Sequence, residues 1–436
     1  MSYSLPYTKK NLKKLSFLVY GLGSTGNSVI RYFKKRKIWD YVAWDDNAKL
    51  RKKFNSQITT NLKSKLRSVD YIVLSPGISL KKTKHKKDLR KFKYKIITDL
   101  DLLYICNSKT KTIVITGTNG KSTTCKILEH VLKKNKVNVR LGGNIGKPIL
   151  DLKLKDNPLL IIEASSFQLA YSRFVKPDYA LILNITNDHL DWHGSMKKYT
   201  DSKLKIFSLQ NKNNFAFIGN KNLLKKFKKK NYLPKLNYVN PHSYKKIKDR
   251  VKNIYLNSKT NEENMNFVFT LSRFFKIKEK SLIKSLNSFK GLPHRYEIFL
   301  KQKNKVFIND SKATSFQASK SALLSNDNIF WIVGGMPKLG DKFKLDKIKN
   351  KIIKSYIIGN YMKKFKKKLS GKVRIVLSKT LKSAVISIFK DIRNIDDKQI
   401  TILLSPASAS YDQFKNFEER GNQFKKLIKN YARRYF

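Results

Sequence analysis

Short apolar runs alternate with amphipathic stretches along most of this 436-residue chain. The runs are rich in Val, Ile and Leu and end at Gly, Pro or polar residues, as buried strands do. The stretches between them repeat apolar residues every three or four positions, which is the helical period. We predict helices near 27–37, after 121, at 196–210 and at 262–275, and strands near 16–20, 41–44, 71–74, 113–115, 159–162, 180–184, 305–308, 329–333, 354–358, 373–376 and 400–404.

Alternating strands and helices predict an α/β fold. The pattern divides into three blocks, which we predict to be domains at 1–105, 106–293 and 294–436. The last boundary follows Gly291-Leu292-Pro293, which interrupts the pattern. The Lys- and Asn-rich stretch 221–253 carries little pattern, and we interpret it as a variable surface segment.

The charge of the chain changes this interpretation little. Its formal net charge is +64, from 94 Lys and Arg against 30 Asp and Glu. Clustered basic residues are typical of nucleic-acid-binding proteins. Lysine, however, outnumbers arginine about fivefold and is spread over every region, whereas phosphate and base recognition favours the arginine fork. We therefore expect a compositional bias, no nucleic-acid partner, and some attraction of polyanionic substrates.

The cysteine content and the hydropathy pattern indicate the compartment. Cys106 and Cys125 lack metal-ligand spacing and fit a reducing environment. The apolar run at 17–20 stops at Gly21, and no later segment reaches the roughly 18 apolar residues that a membrane helix needs. We expect a cytoplasmic protein with no membrane partner.

The most informative segment is a Gly-rich turn at 117–121, which follows an apolar run and precedes a helical pattern. Backbone N–H groups of such a turn and the helix dipole attract phosphate. Lys121 and Ser122 stand where a phosphate loop has its phosphate-binding lysine and its Mg²⁺-binding hydroxyl. Position 115 is Ile rather than the Gly of the full motif, so the loop is a shortened variant.

A second Gly turn, Gly21–Gly26, follows the first predicted strand and has Asp45 and Asp46 about 20 residues further on. This spacing is typical of dinucleotide-binding folds. An NAD-dependent oxidoreductase is therefore one alternative. The same turn can receive another diphosphate, such as that of a nucleotide sugar.

Polar residues follow two strands of the second block. Glu163 ends the run at 159–162, and the segment 184–193 contains His189 just beyond the next strand. Carboxylates at strand ends beside a phosphate loop commonly hold Mg²⁺ directly or through water. The sequence therefore predicts a magnesium site there.

Several motifs, taken in order, resemble the Mur ligases, the ATP-dependent amino-acid-adding enzymes of peptidoglycan synthesis. The second block contributes Thr116–Thr123, Glu163–Leu169 and Asn184–Asp191. The third block contributes Gly291–Arg295, Asn309–Thr314 and Leu404–Phe414, which look like the branch of the family that adds D-glutamate. The resemblance runs from Gly21 to Phe424, except for about 210–255.

The resemblance implies ATP-dependent ligation of D-glutamate to UDP-N-acetylmuramoyl-L-alanine through an acyl phosphate. We expect the protein to be a monomer. The resemblance also implies two Mg²⁺ ions and a carbamylated Lys203, which needs CO₂. Without the surrounding motif Lys203 would be one solvated lysine among many. A Mur-type ligase that adds a different amino acid is a further alternative.

The same resemblance assigns roles to residues. It implies a Rossmann-like UDP-substrate domain first, a P-loop-type ATP-binding domain second and a Rossmann-like amino-acid-binding domain third. The implied ATP-binding residues are Gly117, Thr118, Asn119, Gly120, Lys121, Ser122, Thr123, Asn261, Asn264, Arg295 and Asp310. Those for the UDP substrate are Gly23, Ser24, Thr25, Asp45, Asp46, Ser75, Gly77 and Asn144. Those for D-glutamate are Lys312, Thr314, Ser410, Tyr411 and Phe417. The implied metal ligands are Ser122, Glu163, His189 and Lys203, and the implied catalytic residues are Lys121, His189, Lys203 and Lys338.

Overall fold

A computed structural model describes residues 11–52, 54, 57–107, 109–258, 261–338, 340, 341, 343–393, 395 and 398–435. The start of the predicted domain 1–105, residues 1–10, lies outside the described residues. The described residues form an α/β protein with three sheets. Among the described residues, no helix combines the length and the apolar character needed to cross a bilayer.

The N-terminal sheet consists of β1 (Phe17–Tyr20), β2 (Tyr41–Trp44), β3 (Tyr71–Leu74) and β4 (Ile96–Ile97), all parallel, in the order β2-β1-β3-β4. Its helices are α1 (Ser24–Arg36), α2 (Ala48–Arg51), α3 (Leu62–Ser68), α4 (Lys86–Lys91) and α5 (Asp99–Cys106). Apolar side chains from both faces of the central strand β1 are buried. Parallel strands that helices cover on both faces have continuous apolar sequences of this kind.

The central sheet consists of β5 (Thr112–Thr116), β6 (Val139–Gly143), β7 (Leu159–Glu163), β8 (Tyr179–Ile182), β9 (Phe215–Ile218) and β10 (Lys235–Tyr238). All neighbours are parallel, in the order β10-β9-β8-β5-β7-β6. The helices that follow in the chain are α6 (Lys121–Lys134), α7 (Ser166–Tyr171), α8 (Leu190–His193), α9 (Met196–Leu204), α10 (Lys221–Lys229), α11 (Lys245–Lys248), α12 (Ile254–Asn257), α13 (Glu262–Phe274) and α14 (Glu279–Asn287). The carboxyl ends of β5, β7 and β8 therefore share one edge, where ligands of α/β sheets bind.

The third sheet consists of β11 (Glu297–Gln302), β12 (Lys305–Asn309), β13 (Ile329–Gly334), β14 (Ile352–Ile358), β15 (Ile375–Lys379) and β16 (Ile400–Leu404). Its order is β11-β12-β16-β13-β14-β15, and the edge strand β11 is antiparallel to β12. The helices are α15 (Phe316–Leu324), α16 (Met362–Leu369), α17 (Leu381–Ile392) and α18 (Phe417–Tyr435). Two apolar cores cover the two faces of this sheet. Short 3₁₀ helices lie at Asn11–Lys14, Lys93–Lys95, Ile149–Asp151, Lys205–Phe207 and Lys349–Lys351.

The chain forms two compact units. One comprises Met1–Lys246 with Glu263–Ser285, and the other comprises Ile247–Glu262 with Leu286–Phe436. The first unit contains the N-terminal and central sheets, and the second contains the third sheet. The domain boundaries after residues 105 and 293 stay predictions.

Most predicted strands are confirmed to within a residue or two, and the helix predicted at 27–37 begins earlier, at Ser24. The stretch 221–253, interpreted as a variable surface segment, forms regular secondary structure that the sequence did not predict. It supplies α10, whose Leu223 and Phe227 are buried, and the edge strand β10. Its Lys and Asn residues conceal the helix because they occupy the exposed positions.

Candidate active site

The turn between β5 and α6 presents backbone groups at the N-terminus of a 14-residue helix. Gly120 adopts a left-handed conformation with φ 82°, and a Cβ there would lie 2.0 Å from the Asn264 Oδ1 atom, so only glycine fits. Lys121 folds back over the turn, and its Nζ donates to the carbonyls of Gly117 at 2.9 Å and Thr118 at 2.8 Å. The turn thus combines a helix dipole with a cation, as phosphate binding requires.

The segment that follows β8 holds this turn in place. The backbone N–H of Thr118 donates to the Asn184 carbonyl, and that of Asn119 donates to the Asn184 side chain, both at 2.9 Å. The Thr118 hydroxyl accepts the Thr186 N–H and lies 2.9 Å from the Tyr199 hydroxyl. These contacts fix the loop backbone from the neighbouring strand.

Two further predicted ATP residues, Ser122 and Thr123, are buried in the first turn of α6. Asn264 on α13 lies against the same turn, because it adjoins Gly120 and its Oδ1 accepts the Thr124 hydroxyl at 3.3 Å. The structure therefore brings Asn264 to the predicted phosphate loop. Asn261 lies in the other unit, where its Nδ2 donates to the Tyr255 carbonyl at 2.8 Å.

Glu163 ends β7 beside this turn and is only half paired. Its Oε1 accepts the Asn144 side-chain amide at 2.9 Å, while its buried Oε2 has no hydrogen-bond partner among the described residues. Asn144, which the resemblance assigned to the UDP substrate, is thus in contact with the predicted metal ligand. A buried carboxylate oxygen without a partner is costly and indicates a place for a cation.

Lys203 on α9 is 1% exposed, so the alternative of a solvated lysine is wrong. Its Nζ donates to the Gly117 carbonyl at 2.7 Å and lies 4.8 Å from the centre of the Tyr199 ring. Burial, and then the nearby Lys121 ammonium, lower the pKa of Lys203 well below its usual range. The amine therefore has a much larger neutral fraction than an exposed lysine.

His189 has a left-handed backbone at the start of α8, and its Nε2 lies 3.4 Å from an Asp188 carboxylate oxygen. Its ring packs edge-on against Phe167 with centroids 4.7 Å apart. The neighbouring His193 is buried, and its Nε2 lies 3.0 Å from the Ser166 hydroxyl. Burial, and then His189, lower the pKa of His193 to about 4, so His193 is neutral at physiological pH.

A hard cation fits this donor set. Within the described ranges, no three His, Cys, Asp or Glu side chains form a protein-only metal cage. Mg²⁺ differs from the cage-forming metals because it usually binds one or two carboxylates and takes its remaining ligands from water and substrate phosphates. The half-paired Glu163, at the carboxyl end of the strand next to β5 and the phosphate turn, suits that mode.

The Gly21–Gly26 turn at the end of β1 is tightly built. A Cβ on Gly26 would lie 1.9 Å from the Gly21 carbonyl oxygen, and the Ser75 hydroxyl donates to the same oxygen at 2.8 Å. Ser24 and Gly77 are exposed and Thr25 is half-buried, while Gly23 and Gly77 border open space. The structure thus gathers the turn, the start of α1 and the loop after β3 at one edge.

The two predicted aspartates of this edge already have several partners. Asp45 accepts the backbone N–H groups of Leu22 at 2.7 Å and Asn47 at 2.8 Å. Asp46 accepts the hydroxyls of Tyr20 and Thr83, both at 2.6 Å. Asp46 therefore holds the 83–84 loop against the sheet.

In the second unit, Asp310 follows β12 and is buried, and its carboxylate accepts the Ser405 hydroxyl at 2.7 Å and the Tyr296 N–H at 3.1 Å. Burial raises the pKa of Asp310 to about 7, and the nearby Arg295 opposes this shift. The Lys312 ammonium lies 3.5 Å from the centre of the Phe417 ring, a cation–π contact.

The other predicted residues of the second unit lie in neighbouring loops. Ser410 is buried and Tyr411 is 69% exposed in the loop after β16. Thr314 precedes α15, and Lys338 follows β13, where its carbonyl accepts the Asp341 N–H at 3.4 Å.

Two family descriptions match the chain. Residues 15–94 match "Mur ligase MurD-like, N-terminal domain", and residues 115–284 match "Mur ligase middle domain". A protein of Rickettsia felis called UDP-N-acetylmuramoylalanine–D-glutamate ligase is 34% identical, over 95% of this chain and 97% of its own length. The chain belongs to the Mur ligase family. A protein of Buchnera aphidicola with the same name is 37% identical, over 94% of this chain and 97% of its own.

The Mur ligase fold is also seen in solved structures. That of the MurF ligase from Thermotoga maritima, in complex with ADP, has a TM-score of 0.56 and 18% identity and covers 99% of this chain and 100% of its own. The likeness confirms the expected three-domain α/β architecture of a Mur ligase.

Some residues that contact the predicted site segments did not stand out from the sequence. Asn184 begins one of the motifs of the family resemblance and Tyr199 lies four residues before Lys203, but their contacts with the phosphate turn depend on how the strands and helices pack. Arg420 was not singled out, because a single Arg in the polar stretch at the start of α18 has the sequence appearance of a solvated side chain.

Proposed function

We propose that this chain ligates D-glutamate to UDP-N-acetylmuramoyl-L-alanine with hydrolysis of ATP to ADP and phosphate. The observation that carries the proposal is the half-paired Glu163 beside the phosphate turn and the buried Lys203, in a chain whose relatives over nearly full length carry this ligase name. The exposed Tyr411 in the loop after β16 and Lys312 near Phe417 support an amino-acid site in the second unit.

The chemistry proceeds in two steps on the substrates. A carboxylate oxygen of the L-alanyl group attacks the γ-phosphorus of ATP, and ADP leaves, which gives an acyl phosphate. The amine of D-glutamate then attacks the acyl carbon, and inorganic phosphate leaves with the former carboxylate oxygen. No protein nucleophile is needed, so the chain contributes positioning and charge stabilisation.

Residues of the first unit are proposed to bind ATP. Gly117 to Thr123 surround the phosphates, Lys121 neutralises them, and Asn264 supports the turn from α13. Ser122, Glu163, His189 and Lys203 are proposed to hold two Mg²⁺ ions, which would supply charge neutralisation at the transferring phosphate. The Asn144 side-chain amide would orient the Glu163 carboxylate by donating to its Oε1 atom.

Lys203 is proposed to act as a carbamate. A neutral amine adds to CO₂ and releases one proton, which converts a lysine into a carboxylate-like oxygen ligand. The lowered pKa of Lys203, caused mainly by burial, favours the neutral amine that this addition requires. Exposure of the enzyme to labelled bicarbonate, followed by detection of a carbamate resonance that Lys203→Met lacks, tests this assignment.

The remaining assignments follow the chain order. Residues of domain 1–105 receive the uridine diphosphate at the Gly21–Gly26 turn, with Asp45, Ser75 and Gly77 nearby. Residues of domain 294–436 receive D-glutamate, with Arg295 and Asp310 contacting ATP and Asn261 joining from the segment 247–262. Lys312, Thr314, Lys338, Ser410, Tyr411 and Phe417 are the proposed amino-acid contacts. We propose a cytoplasmic monomer in which 106–293 is the ATP-binding domain.

The experiment that tests the function is phosphate release from ATP with UDP-N-acetylmuramoyl-L-alanine and one amino acid at a time. D-glutamate, L-glutamate, L-lysine and diaminopimelate form the panel. Release that depends on D-glutamate alone is expected. Release with another member of the panel would keep the ligase and overturn the amino-acid assignment. No release, together with NAD binding that a Gly21→Val variant loses, would favour the oxidoreductase alternative.

A further inference from the structure

Arg420 is a buried cation in the first turns of α18. Its side chain is 1% exposed and ranks among the largest fully buried side chains of the chain. It makes no ion pair within the described part of the molecule, although burial of a charge is strongly unfavourable unless it is paired. Burial lowers the pKa of Arg420 to about 10, with Asp412 and Asp310 opposing, so the guanidinium stays protonated at physiological pH.

The guanidinium connects two loops. Its Nε donates to the Ser311 hydroxyl at 3.0 Å, and its Nη2 donates to the carbonyls of Ser311 at 2.8 Å and Ser408 at 3.1 Å. The Ser311 hydroxyl in turn donates to the Phe417 carbonyl at 2.8 Å. One planar side chain therefore ties the loop after β12, the loop after β16 and the start of α18 together.

These three segments carry the proposed amino-acid contacts. Lys312 follows Ser311 directly, Ser410 comes two residues after Ser408, and Phe417 begins α18. The Lys312 ammonium lies over the Phe417 ring, so this contact depends on the distance between the loop after β12 and the start of α18. A shift of one loop by about 1 Å can cost on the order of 100-fold in rate when it misplaces a reacting group.

The Nη1 atom is the remaining nitrogen of the Arg420 guanidinium. It is buried and has no hydrogen-bond partner among the described residues. A Cβ on Gly335, in the turn after β13, would lie 3.3 Å from this atom. The positive charge is therefore only partly compensated, and it lies between loops that face a proposed dicarboxylate.

We infer that Arg420 is a positioning residue that sets the D-glutamate site, by fixing the loops of Lys312 and Ser410 and by adding uncompensated positive charge beside them. This inference rests on the proposed function. It concerns a residue that does not itself contact substrate and that acts through Ser311 and Ser408.

The test compares Arg420→Lys and Arg420→Met with Lys429→Met, an exposed cation on the same helix. KM is measured separately for D-glutamate, ATP and UDP-N-acetylmuramoyl-L-alanine. Lysine keeps the charge but cannot span both loops as the arginine fork does. We expect the KM for D-glutamate to rise about tenfold or more in Arg420→Lys and further in Arg420→Met. The other two KM values should stay within about twofold, and Lys429→Met should match the wild type.

Ser311→Ala guards against variants that fail to fold, because it removes only the acceptor of Nε and the bond to Phe417. Its KM for D-glutamate should rise by about threefold, with unchanged urea unfolding of the chain. Equal changes in all three KM values, or a loss of stability alone, would overturn the inference while the wild type still turned over D-glutamate. A wild type without D-glutamate-dependent turnover would overturn the proposed function, and the inference with it.

Discussion

Two buried polar regions of the first unit differ in how completely their atoms are paired. At the start of α5, Asp101 accepts the backbone N–H groups of Arg173 at 2.8 Å, Phe174 at 2.7 Å and Thr98 at 2.8 Å. Beside the phosphate turn, Glu163 leaves one buried oxygen without a partner, and Lys203 donates mainly to one carbonyl.

This difference in pairing distinguishes a polar group that stabilises the fold from one that binds a ligand. Buried polar groups are normally hydrogen-bonded, and a fully satisfied group fixes the fold. The Asp101 carboxylate does so by joining α5 to the segment after α7. An incompletely paired group costs folding free energy and persists where a ligand completes it. The region around Glu163 and Lys203 is therefore interpreted as the ligand site.

The largest expected effect comes from Lys203→Met. Removal of the amine should lower phosphate release on the order of 1,000-fold, while thermal unfolding stays near that of the wild type because an unfavourable buried amine is lost. Lys205→Met is the matched control. Lys205 is also partly desolvated, since burial lowers its pKa to about 8, but it donates to the Ala170 carbonyl. Equal losses in the two variants would contradict the contrast.

Asp101→Ala should act in the opposite way. It removes the acceptor of three backbone N–H groups, two of them in buried hydrogen bonds, and should lower the free energy of unfolding by about 3 kcal/mol, with unchanged activity per folded molecule. Urea unfolding measures the effect. Lys82→Ala breaks the exposed pair with Asp191 and should change stability by less than about 0.5 kcal/mol. A similar small change for Asp101→Ala would refute the structural role.

The neighbouring Asp99 provides a pH test. Burial raises the pKa of Asp99 from 3.8 to about 6, and Gln168 opposes this shift. A carboxyl with a raised folded-state pKa binds protons more strongly when folded, so its ionisation removes stability as pH rises from about 4 to 6. The free energy of unfolding of Asp99→Asn, relative to that of the wild type, should therefore rise by on the order of 2 kcal/mol between pH 4 and pH 7. A difference that does not vary with pH would contradict the assignment.

Much of the fold could be predicted because parallel strands are continuous apolar runs. Strands at 41–44 and 71–74 appear at the predicted positions. The antiparallel edge strand Glu297–Gln302 was not predicted, since its half-exposed side chains mix polar and apolar types. The strand Lys235–Tyr238 was likewise hidden, because edge strands tolerate polar residues.

The candidate site, like the fold, could be predicted only in part. The loop residues Gly117–Thr123 and the lysine at 203 could be located from motifs. The contact of Asn144 with Glu163, and the pairing of Arg420 with Ser311 and Ser408, join residues from separate strands and loops. Such contacts follow from strand order rather than from local spacing, so no local pattern could predict them.

The most direct test of the central claim is urea unfolding of the wild type and Glu163→Gln, with and without Mg²⁺ and ATP. Without nucleotide, Glu163→Gln should be about 1 kcal/mol more stable, because it keeps an acceptor for Asn144 and removes an incompletely paired charge. With nucleotide near 100 times its Kd, the wild type should gain about 2.7 kcal/mol and the variant much less, so that the order reverses. A variant that is less stable without nucleotide, yet gains as much from it as the wild type, would contradict the account.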